Sequence, residues 1–411
     1  MFYSPLKNAV FRSVWLVMFF SNACTWLHTV TASILITKLT GSAMLIALVQ
    51  TASVLPIFLL SIPAGVLADF IGRKSLIIFA QALMATIAFV MALITFSGCM
   101  TPYLLIGTTF LLNTGLALNQ PAWQATSSTL VPASEVKQAA ALNNLSFNVS
   151  RCIGPAIAGY YFAKLGAGYL FMLNGLSFLI AIVVFSKKIV TGNKSNPVTV
   201  RMIYKGCLQT IILYKRFPEI KAIFIKAFLY FFVSSSVWAL LPYIVIVYHK
   251  MPDSKLGLLT GMVGLGAILN AYGIYYFRKK LTDFQLTTFS LFLSTVVIFT
   301  LSLASTFGEM AIVMLVFGYS WSVSVSVFNG TLQADFPVEI RSRLIGLYFV
   351  FFAGSQALGG YISGVLTHNF GIFNALTIIS ILSMVIFFIY FFGEKSFRFF
   401  VRSFLNIIKN N

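Results

Sequence analysis

The sequence predicts an all-α integral membrane protein, with twelve transmembrane helices arranged in two pseudo-symmetric six-helix bundles. Three observations predict it. Of 411 residues, 59% are hydrophobic and only 9% charged, whereas soluble domains carry about 25% charged residues. Phe alone occurs 42 times, and long apolar runs without strand-like alternation recur from Val14 to Phe392, which reads as helices rather than a β-barrel. The chain also halves into two stretches of about 205 residues that resemble one another, the mark of a duplicated bundle.

The apolar runs give spans at 14–37, 43–67, 76–97, 102–122, 139–163 and 168–186, then at 222–247, 256–277, 286–305, 309–330, 344–367 and 372–392. A spanning helix takes about 20 apolar residues, so twelve of them leave room for one substantial connection and two short tails. The first run lacks a small-residue cleavage site and is too long for a signal-peptide core, so it is expected to be a membrane helix. The organisation expected is a first bundle over 1–186, a cytoplasmic linker over 187–221, a second bundle over 222–393 and a basic cytoplasmic tail over 394–411.

Charge sets the expected orientation. Lys and Arg number 28 and Asp and Glu 9, a formal net charge of +19. On a soluble chain this would suggest nucleic acid as partner. Here the basic residues sort by loop: with the N-terminus inside, the inner segments hold 22 of them, and the outer loops hold four, Lys38, Lys164, Lys250 and Lys255. Basic residues favour cytoplasmic loops, so both termini are expected in the cytoplasm, the chain multi-pass, and nucleic acid no partner. Anionic lipid is an expected contact of the basic segments.

Within 187–221, Gly192, Asn193, Ser195, Asn196 and Pro197 read as a linker. Ile203, Cys207, Leu208, Ile211 and Ile212 then recur at helical spacing against Arg201, Lys205 and Lys215, the pattern of an amphipathic helix on the membrane surface. The four cysteines, Cys24, Cys99, Cys152 and Cys207, form no CxxC pair and are expected to be reduced and mostly buried.

The repeat has one fixed offset. Adding 205 takes Arg73 to Arg278, Lys74 to Lys279, Pro132 to Pro337, Gly154 to Gly359, Gly159 to Gly364 and Gly166 to Gly371. Parallel repeats related by an axis along the membrane normal place a substrate near mid-membrane between the halves.

The most specific local pattern is Gly65-Val66-Leu67-Ala68-Asp69-Phe70-Ile71-Gly72-Arg73-Lys74, in the short turn between the second and third spans. Gly65 permits close helix approach and Gly72 a tight turn. Asp69 beside Arg73 and Lys74 has the elements of an ionic latch that would hold one conformation; an ordinary charged turn is the alternative.

These ten residues resemble the signature loop of the major facilitator superfamily. The resemblance runs over nearly the whole chain to its transmembrane secretion effector branch, which includes the enterobactin exporter and macrolide efflux proteins. It is carried by Phe11-Arg12-Ser13-Val14-Trp15, Leu39-Thr40-Gly41-Ser42, Asn119-Gln120-Pro121-Ala122-Trp123-Gln124-Ala125, Leu130-Val131-Pro132, Ala141-Leu142-Asn143 and Asn148 through Gly159, and in the second half by Trp238-Ala239-Leu240-Leu241-Pro242, Gln333 to Pro337 and Arg341-Ser342-Arg343. It implies the major facilitator fold and transport of a small molecule, commonly export. Ser342 stands where the family usually has glycine, and Ile274 stands where Asp69 stands in the first half, so a second-half latch would be asymmetric. Gly154-Pro155 through Gly159 keeps only part of the helix-5 pattern associated with antiporters.

Arg151 is the leading site candidate. Counted from Ala139 at 1.5 Å per residue it lies about 18 Å deep, near the bilayer centre. An intramembrane charge there costs at least about 2.5 kcal/mol unless it faces protein or water. Its planar fork suits a carboxylate, phosphate or catecholate; holding carbonyls at the neighbouring Gly-Pro break is the competing reading. Asn22, Trp26 and His28 on the first span, Asn113 on the fourth, Asn144 and Asn148 on the fifth, and Tyr230, Trp238, Asn270 and Gln356 in the second half complete a candidate polar, aromatic cavity. Interhelical hydrogen bonding is the alternative for each of them.

No Asp or Glu lies inside any predicted span, although proton relays usually use buried acids. His28 is the one internal group able to titrate near neutral pH, and a purely structural histidine is the alternative. No Walker sequence, HExxH or GxSxG occurs, so an enzyme is not expected, nor any cofactor or metal. A sensor or scaffold would need an output domain. The expectation is a monomeric secondary transporter, most simply a proton-driven exporter of a siderophore-like anion or an amphipathic drug or metabolite, with an importer of a ferric siderophore as the alternative.

Overall fold

The computed structural model describes residues 4–127, 129–188, 218–334 and 338–409, and among them the secondary structure is helical throughout. Ten long helices follow one another: α1 (Ala9–Leu39), α2 (Ala43–Ile71), α3 (Arg73–Phe96), α4 (Pro102–Ser127), α5 (Val136–Lys188), α6 (Pro218–Pro242), α7 (Asp253–Phe277), α8 (Asp283–Leu303), α9 (Phe307–Ala334) and α10 (Val338–Lys409). Nine stretches of these are long and apolar enough to cross a membrane by hydropathy.

Two helices are far longer than a membrane requires, α5 with 53 residues and α10 with 72. Each is broken once, α5 at Gly166 (φ 78°, ψ 169°) and α10 at Gly371 (φ 78°, ψ 163°). These are left-handed φ values that glycine alone adopts cheaply. Each long helix is therefore two limbs, α5a (136–165) and α5b (167–188), and α10a (338–370) and α10b (372–409). Counted by limbs, the described chain runs through twelve helical segments. The predicted fifth and sixth spans fall on α5a and α5b, and the breaking glycines are a pair from the repeat.

Local chemistry explains several other boundaries. Asn8 caps α1, its side-chain oxygen accepting from the backbone N–H groups of Val10 (2.9 Å) and Phe11 (3.2 Å). Thr282 and Gln285 form a reciprocal capping box at the start of α8, satisfying donors that a helix N-terminus leaves orphaned. The last turns before the α6–α7 connection widen to a π-helix over Tyr243–Tyr248, just after Pro242, and the His249 N–H donates to the Ile244 carbonyl five residues back. The amphipathic segment expected near 201–215 and the repeat member Pro337 lie outside the described residues.

The packing repeats as the sequence does. In the first set α1 lies on α5, α2 on α4, and α3 on both α4 and α5; in the second, α6 lies on α10, α7 on α9, and α8 on both α9 and α10. Glycines set the closest approaches. A Cβ on Gly154 would meet the Ala23 carbonyl of α1 at 2.4 Å, and one on its counterpart Gly359 would meet the Phe232 carbonyl of α6 at 2.1 Å. Lipid tails supply no hydrophobic drive between helices, so small residues that let backbones touch hold such bundles together.

The two sets meet through α5a against α7 and α2 against α10a. Of the four cysteines, Cys24 is buried, Cys152 half-buried on the α5a–α7 seam and Cys99 exposed in the α3–α4 connection. Cys99 therefore departs from the expectation of burial, following the turn at Gly98, and Cys207 lies outside the described residues.

Candidate functional site

Arg151 stands at the middle of α5a, only 6% exposed. Its guanidinium carbon lies 5.1 Å from the ring centre of Trp26 on α1 and 4.7 Å from that of Trp238 on α6. The two indoles are themselves 6.3 Å apart. One ring comes from the first set of helices and the other from the second, so the guanidinium sits between the halves. Cation–π contacts are worth about 2 kcal/mol each when desolvated, so two of them are of the size needed to offset the ~2.5–3.5 kcal/mol of an arginine at membrane depth.

The cage is extended by rings. Phe147 packs edge-on to Trp26 at 5.9 Å, and Phe317 and Trp321 of α9 meet Trp238 at 5.8 and 5.9 Å. Among the described residues, Asp69, Glu135, Glu219, Asp253, Asp283, Glu309 and Glu339 stand at or just outside helix ends, and Glu394 lies along α10b beyond the last predicted span. None occupies the depth of Arg151, whose Nε has no hydrogen-bond partner although it is buried; the same is true of Trp238 Nε1.

Other expected cavity residues separate into two groups. Asn22, Asn113 and Asn148 are half-buried. Asn113 and Asn148 donate to carbonyls four residues back in their own helices, those of Thr109 (2.9 Å) and Asn144 (3.0 Å). Asn144 itself is exposed, and Gln356 is buried on α10a.

His28 lies apart from the cage, and Tyr230 reaches only its outer ring, 6.4 Å from Trp321. His28 is 2% exposed, its ring 4.7 Å from Phe171 of α5b, and neither ring nitrogen has a partner. Tyr230 is fully buried inside the second set, where its hydroxyl bonds with Ser320 of α9 (3.0 Å) and accepts from Ser294 of α8 (3.2 Å). Asn270 bonds to Ser322 across α7 and α9. For Tyr230 and Asn270 the interhelical alternative is the observed arrangement.

The gating expectations fare unevenly. Gly65 and the side chain of Asp69 lie outside the described residues. Gly72 makes the α2–α3 turn at φ 88°, and Lys74 donates to the Ser186 carbonyl at 2.8 Å, tying the start of α3 to the end of α5b. Arg73 also has an interaction partner. Arg278, its counterpart, lies 3.8 Å from Asp283 and donates to the Ser326 carbonyl (3.2 Å); the acid at the second turn comes from the following helix, Ile274 having taken the place equivalent to Asp69.

Gly154, Pro155 and Gly159 lie where α5a is pressed between neighbours. Gly154 meets α1, while Gly159 touches Asp253, Ser254 and Gly257 of α7. Gly364, the partner of Gly159 in the repeat, touches Ala43, Met44 and Ala47 of α2 in the same pattern. Gly257, Gly261 and Gly264 line α7 along this seam, and Gly264 abuts Arg151 and Cys152. These close approaches between the sets extend from mid-depth to the end bearing the α1–α2 and α6–α7 connections. Toward the basic end, a Cβ on Gly346 would have only Ile62 as a neighbour, at 3.9 Å. Across the seam Thr51 donates to the Ala357 carbonyl at 3.2 Å.

At the far rim of the same end, Lys38 pairs with Asp253 at 2.5 Å and lies over the Phe162 ring at 4.7 Å. Sequence reasoning missed this pair and the α7 glycines. Lys38 had been counted only as one of four outer basic residues, and Gly257-x3-Gly261 carried a small-residue spacing that points to close helix packing.

A repeated, membrane-spanning bundle whose halves meet around a central cation defines a membrane transporter of the major facilitator type, not an enzyme. Residues 1–395 match the family described as transmembrane secretion effector, and the chain belongs to it. Macrolide efflux protein A of Streptococcus pyogenes is 23% identical over 324 residues, 76% of this chain and 77% of that protein. The protein of the same name from Enterococcus faecalis is 23% identical over 319 residues, 75% of this chain and 95% of that one. Among solved structures, a variant of the nucleoside transporter NupG superposes with a TM-score of 0.78 at 12% identity, covering 93% of this chain and 99% of that one.

Proposed function

We propose that the protein is a secondary transporter that exports a small molecule by alternating access, using the proton gradient as an antiporter. The observation that carries this reading is Arg151 held between Trp26 of one half and Trp238 of the other. A group bound there touches both moving bodies, and differential contact is what lets a ligand shift a conformational equilibrium. Export is supported by the relatives named as macrolide efflux proteins. The cargo class that suits a lone cation among aromatic rings is a siderophore-like anion or an amphipathic metabolite or drug.

In this reading the bundles are 1–186 and 222–393, joined by the linker 187–221 and followed by the basic tail 394–411. With the basic end in the cytoplasm of a bacterium and the chain monomeric in the inner membrane, both termini are cytoplasmic and the structure is closed outward. Substrate reaches Asn22, Trp26, Asn113, Asn148, Arg151, Trp238 and Gln356 from the inside. Gly65, Asp69, Gly72, Arg73 and Lys74 close that side in the other state, while Gly154, Pro155 and Gly159 form the outward seam. His28 is the proton-carrying candidate; Tyr230 supports the second bundle.

Accumulation of a candidate anion in inside-out vesicles under an imposed pH gradient tests the reading. Export predicts uptake that collapses with the gradient; uptake confined to right-side-out vesicles assigns an importer instead. Asp69→Asn is expected to slow turnover more than it weakens binding, and unchanged turnover removes the latch.

A further inference from the structure

Two buried N–H donors face the same cage from opposite halves with no acceptor to receive them: Nε of Arg151 and Nε1 of Trp238. Their rings and planes are in contact, the guanidinium carbon 4.7 Å from the Trp238 ring centre. Buried donors left unpaired are uncommon in proteins, and these two are in contact with one another across the halves. The rings in contact with them, those of Trp26, Phe147, Phe317 and Trp321, offer faces and no acceptor atom. Among the described residues no carboxylate stands at this depth. The rings about the guanidinium thus present donors and π-faces, and no acid of the described residues lies among them.

We infer that Arg151 Nε–H and Trp238 Nε1–H form a two-donor clamp, one donor from each half, for the anionic oxygen of an aryl carboxylate. This rests on the transporter reading and specifies its substrate class. The carboxylate oxygen supplies the missing acceptor, and its charge is matched by the guanidinium, which makes such bonds shorter and stronger than neutral ones. The attached ring replaces an indole face in contact with the cage, as offset aromatic pairs do. A cation of the same shape meets the like charge of Arg151. Because the two donors belong to different halves, occupation of the clamp joins the halves where the empty cage leaves both donors unpaired, which gives the ligand the differential affinity that population shift requires.

The test is calorimetric titration of the full-length protein in detergent with three compounds of one shape: 1-naphthoate, neutral 1-naphthamide and cationic 1-naphthylmethylammonium. The clamp predicts naphthoate tightest and the ammonium at least about tenfold weaker. Trp238→Phe removes the N–H and keeps a smaller aromatic face, so it is expected to weaken naphthoate about tenfold and the neutral amide less. Arg151→Lys keeps the charge but loses the fork, with a loss at least as large. Trp123→Phe, on the far stack with Phe185, controls for indole removal, and thermal unfolding confirms that each variant is folded. Equal naphthoate affinity in Trp238→Phe, tighter binding of the ammonium, or no naphthoate binding at millimolar concentration overturns the clamp. Vesicle uptake coupled to the pH gradient would still be read separately, so failure of the clamp and failure of the transporter reading are distinguishable.

Discussion

Lys38 and Asp253 join the last turn of α1 to the first turn of α7 through an ion pair of 2.5 Å. Each charge also suits its own helix terminus, the cation at a C-terminal end and the anion at an N-terminal one. The Asp253 side chain is only 12% exposed, so water screens it less than an ordinary surface partner. Because the pair crosses between the halves at one end of the molecule, it must part for that end to open.

Asp253→Asn is therefore expected to favour opening at the α1–α2 end. Exposed pairs contribute about 0.2–1 kcal/mol, so the ratio of the two conformations should shift by up to about fivefold. Alkylation of a cysteine placed at Ser254 reads the shift as a faster rate. The double exchange Lys38→Asp with Asp253→Lys restores the pair against the helix dipoles, so it should recover part of the wild-type rate, and no recovery would show the effect to be local.

Gly257→Ala tests the seam directly. A Cβ there would lie 2.3 Å from the Pro155 carbonyl and 2.9 Å from the Gly159 Cα, both backbone atoms that cannot step aside. Closure of the α1–α2 end should be impaired and transport lowered at least tenfold with normal membrane insertion. The substitution Gly308→Ala meets nothing within 4 Å and should transport normally. Equal rates for the two would refute the seam.

Arg151→Ala is expected to abolish transport while leaving insertion and folding intact. Removing the cation also removes its desolvation cost, so thermal stability should fall little or rise. Transport retained in this variant would take Arg151 out of the substrate site.

Tyr230→Phe separates two roles by stability and affinity. Losing a hydroxyl shared with Ser294 and Ser320 should cost about 1 kcal/mol of stability and leave naphthoate binding unchanged. A tenfold loss of affinity at wild-type stability would instead return Tyr230 to the substrate site.

The fold was legible because membranes impose long apolar runs, and because duplication left matched glycines and basic residues. Gly166 and Gly371 are the clearest case, breaking two helices with nearly identical dihedral angles. At the site, Arg151 and Trp26 were readable from depth and spacing on single helices. The pairing of Arg151 with Trp238 was not, since it joins residues far apart in sequence and on different halves. Tyr230 shows the limit: a polar group on a spanning helix points to some partner, but which side it faces is decided by the helices packed around it. The Lys38–Asp253 pair escaped for the same reason, each residue looking like an ordinary helix-end charge until α1 and α7 were brought together.

The central claim is that the two ends open in turn about the Arg151 contact. Electron–electron dipolar distances test it most directly, with spin labels at Gly41 and Lys250 across the closed end and at Ser75 and Lys280 across the basic end, in a background freed of Cys24, Cys99, Cys152 and Cys207. Opening in turn gives reciprocal populations: Asp253→Asn is expected to lengthen the first distance and shorten the second. Two distances that stay fixed, or lengthen together, would contradict it.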